Sequence, residues 1–172
     1  MSDILKTERL TKTYGKCIAV NQVSVTVRRG DIYGLIGKNG AGKTTLVKII
    51  CGLIDPTEGQ VLYNGINIKE YNREEVYKLF GAVFQQFSIL PVTIAEIVAE
   101  DVAENVDIDR LERCLNQAGL AEKIRSLKEG VNSKYDKTIW DDGIDLSGGK
   151  KQKLLLARAL YKNAPIVILD EP

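Results

Sequence analysis

The sequence predicts an α/β fold, because short apolar segments of strand length alternate with longer segments of helical periodicity. Residues 32–36 and 166–169 are almost continuously apolar, which is typical of buried strands. Residues 43–53 and 147–161 repeat their apolar positions at the spacing of a helix. The chain has 172 residues, close to the usual size of one domain, so we expect a single domain over residues 1–172.

The first half is predicted to contain an antiparallel sheet. Val23, Val25 and Val27 alternate with polar residues, which indicates a half-buried strand. The run at 32–36 stops at Gly37, so we expect a buried strand that enters a loop before the helix at 43–53. Further strands are predicted at 61–63, 66–68 and 80–84, with Asn64-Gly65 as the turn between the first two.

The middle of the chain differs from its flanks in charge and pattern. Residues 86–146 hold 7 basic and 13 acidic side chains, whereas residues 1–85 and 147–172 are both net positive. Helices are predicted at 94–102, 108–118 and 121–127, with Gly119 closing the second. We therefore expect a core with an antiparallel part over 1–85, an inserted helical subdomain over 86–146, and a final helix and strand over 147–172.

Composition excludes several classes of function. Lysine plus arginine number 24 and aspartate plus glutamate 23, and this near balance disfavours a protein that grips nucleic acid through its phosphates. Histidine is absent, which excludes histidine-based triads and histidine metal sites within the chain. The three cysteines, Cys17, Cys51 and Cys114, lack the spacing of a metal site and fit reduced thiols in a cytosolic protein.

The strongest motif is the glycine-rich stretch from Gly37 to Thr44, which matches a phosphate-binding loop between a strand and a helix. Its glycines let backbone N–H groups turn toward phosphates, and the helix N-terminus adds partial positive charge. Lys43 would neutralise the β- and γ-phosphates, and the Thr44 hydroxyl would ligate Mg²⁺. The residues predicted to hold the nucleotide here are Gly37, Asn39, Gly40, Ala41, Gly42, Lys43, Thr44 and Thr45.

Two acids follow the last predicted strand. In a parallel α/β sheet, ligands bind outside the carboxyl ends of the strands, so Asp170 and Glu171 would lie near the phosphates. We assign Asp170 to the Mg²⁺ side and Glu171 to the general base that activates water. Acids after a strand are common, and the assignment depends on the phosphate-binding loop upstream.

The tetrapeptide Leu146-Ser147-Gly148-Gly149, between that loop and Asp170, completes a resemblance. With these three motifs the whole chain resembles the ATP-binding domain of ATP-binding cassette (ABC) transporters, and the resemblance implies the ABC type of P-loop NTPase fold. In that family two domains dimerise head to tail, and each serine-glycine segment closes over the partner's ATP. Ser147 and Gly149 would then donate to the γ-phosphate.

Further roles follow from matching positions in the family. Tyr14 matches the aromatic residue that stacks on adenine, although a surface tyrosine before a turn is the alternative. Gln85 matches the glutamine that touches Mg²⁺ or the attacking water, with Gln86 as the competing choice. Residues 86–97 would face a transmembrane subunit. Trp140 and Gly143 match a communicating segment of exporter-type members, while simple packing is at least as strong an interpretation of Trp140.

The resemblance implies the ATP-hydrolysing subunit of a transporter, encoded apart from its membrane domain. We expect bound ATP and Mg²⁺, a homodimer or heterodimer of ATP-binding domains, and no nucleic acid. The implied location is cytoplasmic, at the inner face of the cell membrane, with export favoured over import. The alternatives are a soluble ABC ATPase of repair, chromosome organisation or translation, a small P-loop kinase, and a chain that binds ATP without turnover.

Two departures from the family pattern shape these expectations. Lys150 stands where the family usually has glutamine, and with Lys151 and Lys153 it would either attract a partner's bound triphosphate or form a solvated basic face. The chain also stops at Pro172, before the family's dimer-contact segment and its histidine-bearing strand. We therefore expect a truncated domain that binds nucleotide weakly and hydrolyses it slowly.

Overall fold

The computed structural model describes residues 3–38, 40–84 and 88–170, and the chain divides into two compact units. The first unit is Met1–Phe80 and the second is Gly81–Pro172. Each unit has its own buried apolar core. Within the described ranges, every helix is too short or too polar to cross a bilayer.

The first unit is built on a five-stranded antiparallel sheet, as predicted. Its strands are β1 (Asp3–Tyr14), β2 (Cys17–Val23), β3 (Thr26–Arg28), β4 (Glu58–Tyr63) and β5 (Ile66–Asn67). Strand β1 pairs with β2, β3 and β4, and β5 extends the sheet beyond β4. The strand order β2-β1-β4-β5 makes β1 the strand on which the sheet is assembled.

The predicted alternation at Val23, Val25 and Val27 is confirmed, since all three are half-buried and the polar residues between them are exposed. The segment is nevertheless two strands, β2 and β3, because β1 bulges opposite it. Arg9 has a positive φ of 45°, and its N–H donates to Ser24 Oγ at 2.9 Å instead of to a strand carbonyl. A side chain thus satisfies the backbone where the ladder is interrupted.

Strand β1 is the longest strand among the described residues, and its sequence pattern does not predict it. Irregular pairing explains why, because the register of β1 shifts between Asp3 and Leu5 and again between Glu8 and Thr11, and each shift changes the buried side of the strand. Ile4 and Leu5 are both buried, and so are Leu10 and Thr11. Simple alternation, the sequence signal of a half-buried strand, is lost over such a segment.

The predicted buried strand at 32–36 is wrong. Residues 31–38 carry no secondary structure, and Ile32 and Ile36 are each 101% exposed. A strand is held by hydrogen bonds to a neighbouring strand, and among the described residues this segment joins no ladder. Apolar composition predicts that a segment suits a sheet interior, but it does not supply the neighbour.

Helix α1 (Lys43–Ile50) follows the glycine-rich stretch and ends three residues before the predicted end. Its buried side chains are Leu46, Val47, Ile49 and Ile50. The helix stops at a turn in which Gly52 N–H donates to Ile49 O and Leu53 N–H donates to Lys48 O. Gly52 adopts a φ of 69°, the left-handed conformation that this type of helix end requires. Leu53 lies beyond the helix and is exposed.

The rest of the first unit agrees with the sequence except for one helix. The Asn64-Gly65 turn joins β4 to β5 with φ values of 48° and 82°, as its composition predicted. Helix α2 (Arg73–Leu79) was not predicted. It begins with a capping box in which Asn72 and Glu75 each accept from the other's backbone N–H.

In the second unit, shorter helices pack around α6 (Gly148–Lys162). The helices predicted for the middle of the chain are confirmed. The other elements are β6 (Phe80–Val83), α3 (Ile94–Ala99), α4 (Ile108–Gln117), α5 (Ala121–Arg125) and β7 (Ile166–Leu169). Its core contains the fully buried side chains Ile94, Leu111, Leu115, Leu120, Ile124 and Leu154. Strand β7 pairs with β6 and is only half-buried, with Val167 and Leu169 exposed, rather than buried as predicted.

Helix α3 begins with a second capping box. Thr93 Oγ1 accepts from Glu96 N–H at 3.2 Å, and Glu96 Oε2 accepts from Thr93 N–H at 2.9 Å and from Thr93 Oγ1 at 2.7 Å. The side-chain and backbone hydrogen bonds from Thr93 lower the pKa of Glu96 below its usual 4.5. The ionised carboxylate therefore stabilises the fold above pH 4.5, and this contribution is lost as the pH falls through the lowered pKa.

We expect Glu96→Gln to be less stable than the wild type near neutral pH and to approach the wild type as the pH falls through the lowered pKa of Glu96, because protonation removes the advantage of the carboxylate. Thermal unfolding of both proteins across the acidic range measures this difference. In a Thr93→Ala background, which lacks the hydroxyl donor and costs about 1 kcal/mol by itself, the pH dependence of the difference should shrink. A difference that stayed constant with pH would contradict the assigned hydrogen bonds.

Candidate functional site

The glycine-rich loop leads directly into helix α1, as its sequence predicted. Ala41 N–H donates to Lys38 O at 3.1 Å, which turns the chain within the loop. Gly40 and Gly42 have φ values of 82° and 83°, in the left-handed region that favours glycine. No acidic side chain stands in the first turn of α1, so its amides can serve an anion.

Gly42 is fixed by its contact with strand β2. A Cβ atom at this position would lie 2.0 Å from the carbonyl oxygen of Ala19 and 3.6 Å from Val20 Cγ2. Only glycine allows the main chain to pass so close to β2 at a positive φ. Gly42 is also the N-cap residue of α1, and it contributes no side-chain cap. The sheet therefore sets where the amide end of α1 begins.

Lys43 reaches back over the loop. Its Nζ donates to the carbonyl oxygen of Gly37 at 2.6 Å, and the side chain is half-buried. This bond joins the two ends of the loop and holds an ammonium group against the loop backbone. Thr44 and Thr45, in the first turn of α1, are half-buried as well. Asn39 lies outside the described residues.

Tyr14 belongs to the same unit as the loop. It ends β1, pairs with Cys17 across the β1–β2 hairpin, and is 53% exposed. Ala19, which lies against Gly42, follows Cys17 by two residues along β2. Strand β2 therefore runs from the hairpin that carries Tyr14 to Ala19, which lies against Gly42, the residue before α1. An exposed aromatic ring at this place suits stacking on a planar base.

The second unit holds Asp170 directly after β7. Its N–H donates to Val83 O at 2.9 Å, and the residue is only 5% exposed. Its Oδ2 is buried and has no hydrogen-bond partner among the described residues. A buried carboxylate oxygen without a partner is costly unless a ligand satisfies it, and a hard cation such as Mg²⁺ is such a ligand. Glu171, Gln85 and Gln86 lie outside the described residues.

The residues around Ser147 present backbone groups to solvent. Leu146 is buried in the core of the second unit, whereas Ser147, Gly148 and Gly149 are exposed. Ser147 occupies the N-cap position of α6, but its hydroxyl makes no capping bond. A β-carbon at Gly148 or Gly149 would meet no atom within 4 Å. The predicted helix start is confirmed, although a serine at this position also favours a side-chain cap and the structure shows none.

Two of the three lysines that follow the glycines contact their own unit. Lys151 Nζ lies 5.7 Å from the centre of the Tyr135 ring, and hydrogen bonding to Tyr135 raises the pKa of this lysine. Lys153 Nζ donates to Gly119 O at the end of α4, at 3.2 Å. Lys150 is half-buried. Of these three lysines, we therefore keep only Lys150 as one expected to face a partner's triphosphate.

Trp140 has a defined packing role. Its Nε1 donates to Pro91 O at 2.8 Å, and Lys134 Nζ lies 4.0 Å from the centre of the indole ring. Gly143 is buried, and a Cβ there would lie 2.6 Å from Asp136 O. The loop before Ser147 is thus fastened to the segment that contains Pro91. Within that segment Leu90 is 71% exposed.

In the first unit the loop of residues 37–44 combines helix-terminal amides with one ammonium group, and the possible metal ligands of the described residues stand singly rather than in a cluster. The described residues contain no group of three or more histidine, cysteine, aspartate or glutamate side chains that could hold a metal ion. Magnesium commonly takes one or two protein ligands and completes its shell with phosphate and water, so the hydroxyl of Thr44 in the first unit and the carboxylate of Asp170 in the second each have a chemistry that suits it. Sequence reasoning missed Ala19, because it contributes a backbone carbonyl that carries no residue signature.

Comparisons with known proteins agree with these motifs. The model of the ABC transporter family matches residues 20–172. An ATP-dependent lipid A-core flippase of Cupriavidus pinatubonensis is 39% identical over 168 residues, which are 95% of this chain and 28% of that protein. The flippase of Haemophilus ducreyi is 36% identical over 153 residues, 89% of this chain and 26% of that protein.

A solved structure shows the same fold. A bacterial Atm1-family ABC exporter with ATP bound matches 99% of this chain and 29% of its own, with a TM-score of 0.86 and 26% identity. The predicted ABC type of P-loop NTPase fold is therefore confirmed. The chain spans less than a third of the length of each of these relatives.

Replacing each of two glycines by alanine tests the packing of the loop against β2. Gly42→Ala would place a methyl group against the Ala19 carbonyl, so we expect unfolding at lower temperature and loss of nucleotide binding. Gly40→Ala has open space around it and carries only the left-handed backbone cost of about 1–2 kcal/mol. Thermal unfolding of the two proteins compares them, and equal behaviour would contradict the contact between the loop and β2.

Proposed function

This chain belongs to the ABC transporter family as an ATP-binding domain, and from this premise we propose that it binds Mg-ATP and hydrolyses it together with a second ABC domain. The observation that carries the proposal is the loop of residues 37–44. Gly42 seats it against β2, Lys43 lies across it, and α1 begins at its end. This is an anion site of backbone amides with one ammonium group, suited to a triphosphate.

The residues take distinct roles in this proposal. Lys43 exchanges its bond to the Gly37 carbonyl for the β- and γ-phosphates, since a charged acceptor binds an ammonium more strongly than a neutral one. Following the family resemblance, Thr44 and Asp170 would each supply an oxygen ligand to the magnesium ion, which would neutralise phosphate charge. Following the family resemblance, Gln85 assists the metal and the attacking water, and Glu171 accepts the proton of that water.

A second domain would complete the site from the far side. Ser147 offers a hydroxyl that makes no capping bond, and Gly149 lies in the first turn of α6 with open space around it. Both can donate to a γ-phosphate bound in another domain, where the helix N-terminus favours the negative charge. Lys150 adds a cation at that surface. We propose a head-to-tail dimer, with a copy of this chain or a related domain.

The proposed membrane partner would contact residues 86–97. Leu90 in this segment is 71% exposed, and the neighbouring Pro91 accepts from Trp140, in the loop that leads to Ser147. An exposed apolar side chain next to a loop that is held by a hydrogen bond is a suitable contact for a helix of a transmembrane subunit. We place the chain at the inner, cytoplasmic face of the membrane.

The proposed direction of transport is export. The relatives named above are flippases and an exporter, and each of them is a transport protein rather than a repair or translation factor. The P-loop kinase alternative is excluded, because the family match includes the segment of Ser147 to Gly149.

The ammonium of Lys43 gives the most direct test of nucleotide binding. We expect Lys43→Ala to weaken Mg-ATP binding by about ten- to a hundredfold, because a charge-assisted contact to phosphate is lost. Lys48→Ala is the matched control, since Lys48 is exposed in the last turn of the same helix and removes the same charge. Isothermal titration calorimetry with Mg-ATP measures both variants.

The two variants separate the proposed contact from a general charge effect. The proposal requires the control to keep the affinity of the wild type. Equal affinity of the wild type and Lys43→Ala for Mg-ATP would overturn the assignment of the loop. Phosphate release measured on the same samples, with Glu171→Gln as background, reports turnover separately from binding.

A further inference from the structure

We propose that Lys12 is a positioning residue that fixes the ring of Tyr14 for stacking on the nucleotide base. The inference rests on the proposed function, because it concerns the base end of the same ATP site. Lys12 and Tyr14 are two apart on β1, so their side chains leave the strand on the same side. Lys12 Nζ lies 5.3 Å from the centre of the Tyr14 ring, within the range of a cation–π contact.

The ammonium of Lys12 is held in this position from its far end. Its Nζ donates to the carbonyl oxygen of Asp55 at 2.7 Å, so the side chain spans from β1 to the turn before β4. A lysine side chain that is free at its end samples many rotamers, whereas one bonded at its tip is restricted. The bond to Asp55 therefore keeps the charge beside the ring.

The anchor itself is tied to β1 by threonines. Thr57 N–H donates to Thr11 O at 2.8 Å, and Thr57 Oγ1 accepts from Thr13 N–H at 3.1 Å. The two hydroxyls of Thr13 and Thr57 lie 3.3 Å apart. Asp55 also pairs with Lys69 at 3.4 Å. These contacts fix the turn at 55–57 against the last residues of β1, just where Tyr14 follows.

A fixed cation on one side of the ring has two consequences for a ligand. Tyr14 is 53% exposed, so without a neighbour its ring is free to turn, and ordering it would cost binding free energy. The cation also draws ring electron density toward itself, which favours an electron-rich purine on the opposite side. Both effects act on the base and leave the phosphate contacts of Lys43 unchanged.

The test compares two ligands and two lysines of the same hairpin. Lys12→Met removes the charge and the bond to Asp55, while Lys16→Met removes an equal charge two residues after Tyr14, at an exposed position. Calorimetric titration uses Mg-ATP and, separately, magnesium tripolyphosphate, which has no base. We expect Lys12→Met to weaken Mg-ATP binding about two- to fivefold and to leave tripolyphosphate binding unchanged. Lys16→Met should leave both unchanged.

Two further variants test whether Lys12 acts on Mg-ATP binding through the ring of Tyr14. In a Tyr14→Ala background, Lys12→Met should no longer alter Mg-ATP affinity, because the ring through which it acts is gone. Lys12→Arg keeps the cation and a donor for Asp55, and we expect Mg-ATP affinity within about twofold of the wild type. Thermal unfolding of each variant confirms that the hairpin is folded.

The outcomes separate this proposal from the proposed function. An equal loss for both ligands, or a loss that persists without Tyr14, would overturn the positioning role while leaving ATP binding intact. Unchanged Mg-ATP affinity in Lys12→Met would overturn it as well. Failure of the wild type to bind either ligand would instead overturn the proposed function, and with it this inference.

Discussion

The close approach of Gly42 to the Ala19 carbonyl is the constraint on which the proposed nucleotide site depends. A Cβ atom at Gly42 would lie 2.0 Å from that oxygen, so the loop can begin α1 at this point only with glycine. The contact fixes the amide end of α1 to β2. Because β2 continues to the hairpin of Tyr14, the same contact relates the phosphate end of the site to its base end within one unit.

The second unit supplies groups whose bonding is incomplete in the folded chain. Asp170 buries a carboxylate oxygen without a partner among the described residues, and Ser147 leaves its hydroxyl free of the cap it could form. Incomplete bonding of buried or helix-terminal groups costs stability, and such cost concentrates at functional sites. In the proposed function, a metal ion would give Asp170 a partner and the phosphate of a second domain would give Ser147 one.

The sequence predicts the parts of this fold that depend on local chemistry. Glycine and threonine spacing identifies the loop. Backbone preference accounts for the Asn64-Gly65 turn and for the end of α4 at Gly119. The spacing of apolar residues identifies α6. The sequence does not predict the features that depend on a neighbouring segment of the chain. The bulge at Arg9 concealed β1, residues 31–38 have the composition of a strand without its neighbour, and the contact of Ala19 involves only the main chain. The roles of Tyr14, Ser147 and Asp170 remain predictions that the geometry supports.

Alkylation of Cys17 is the most direct measurement of whether nucleotide occupies the first unit as described. Cys17 pairs with Tyr14 across the hairpin on the same side of the sheet, and it is exposed, whereas Cys51 and Cys114 are buried. Burial also raises the pKa of the Cys114 thiol, which slows its reaction further. We expect saturating Mg-ATP to slow the reaction of Cys17 with iodoacetamide, and tripolyphosphate to leave its rate unchanged. An unchanged rate at saturating Mg-ATP would contradict the placement of the base at Tyr14.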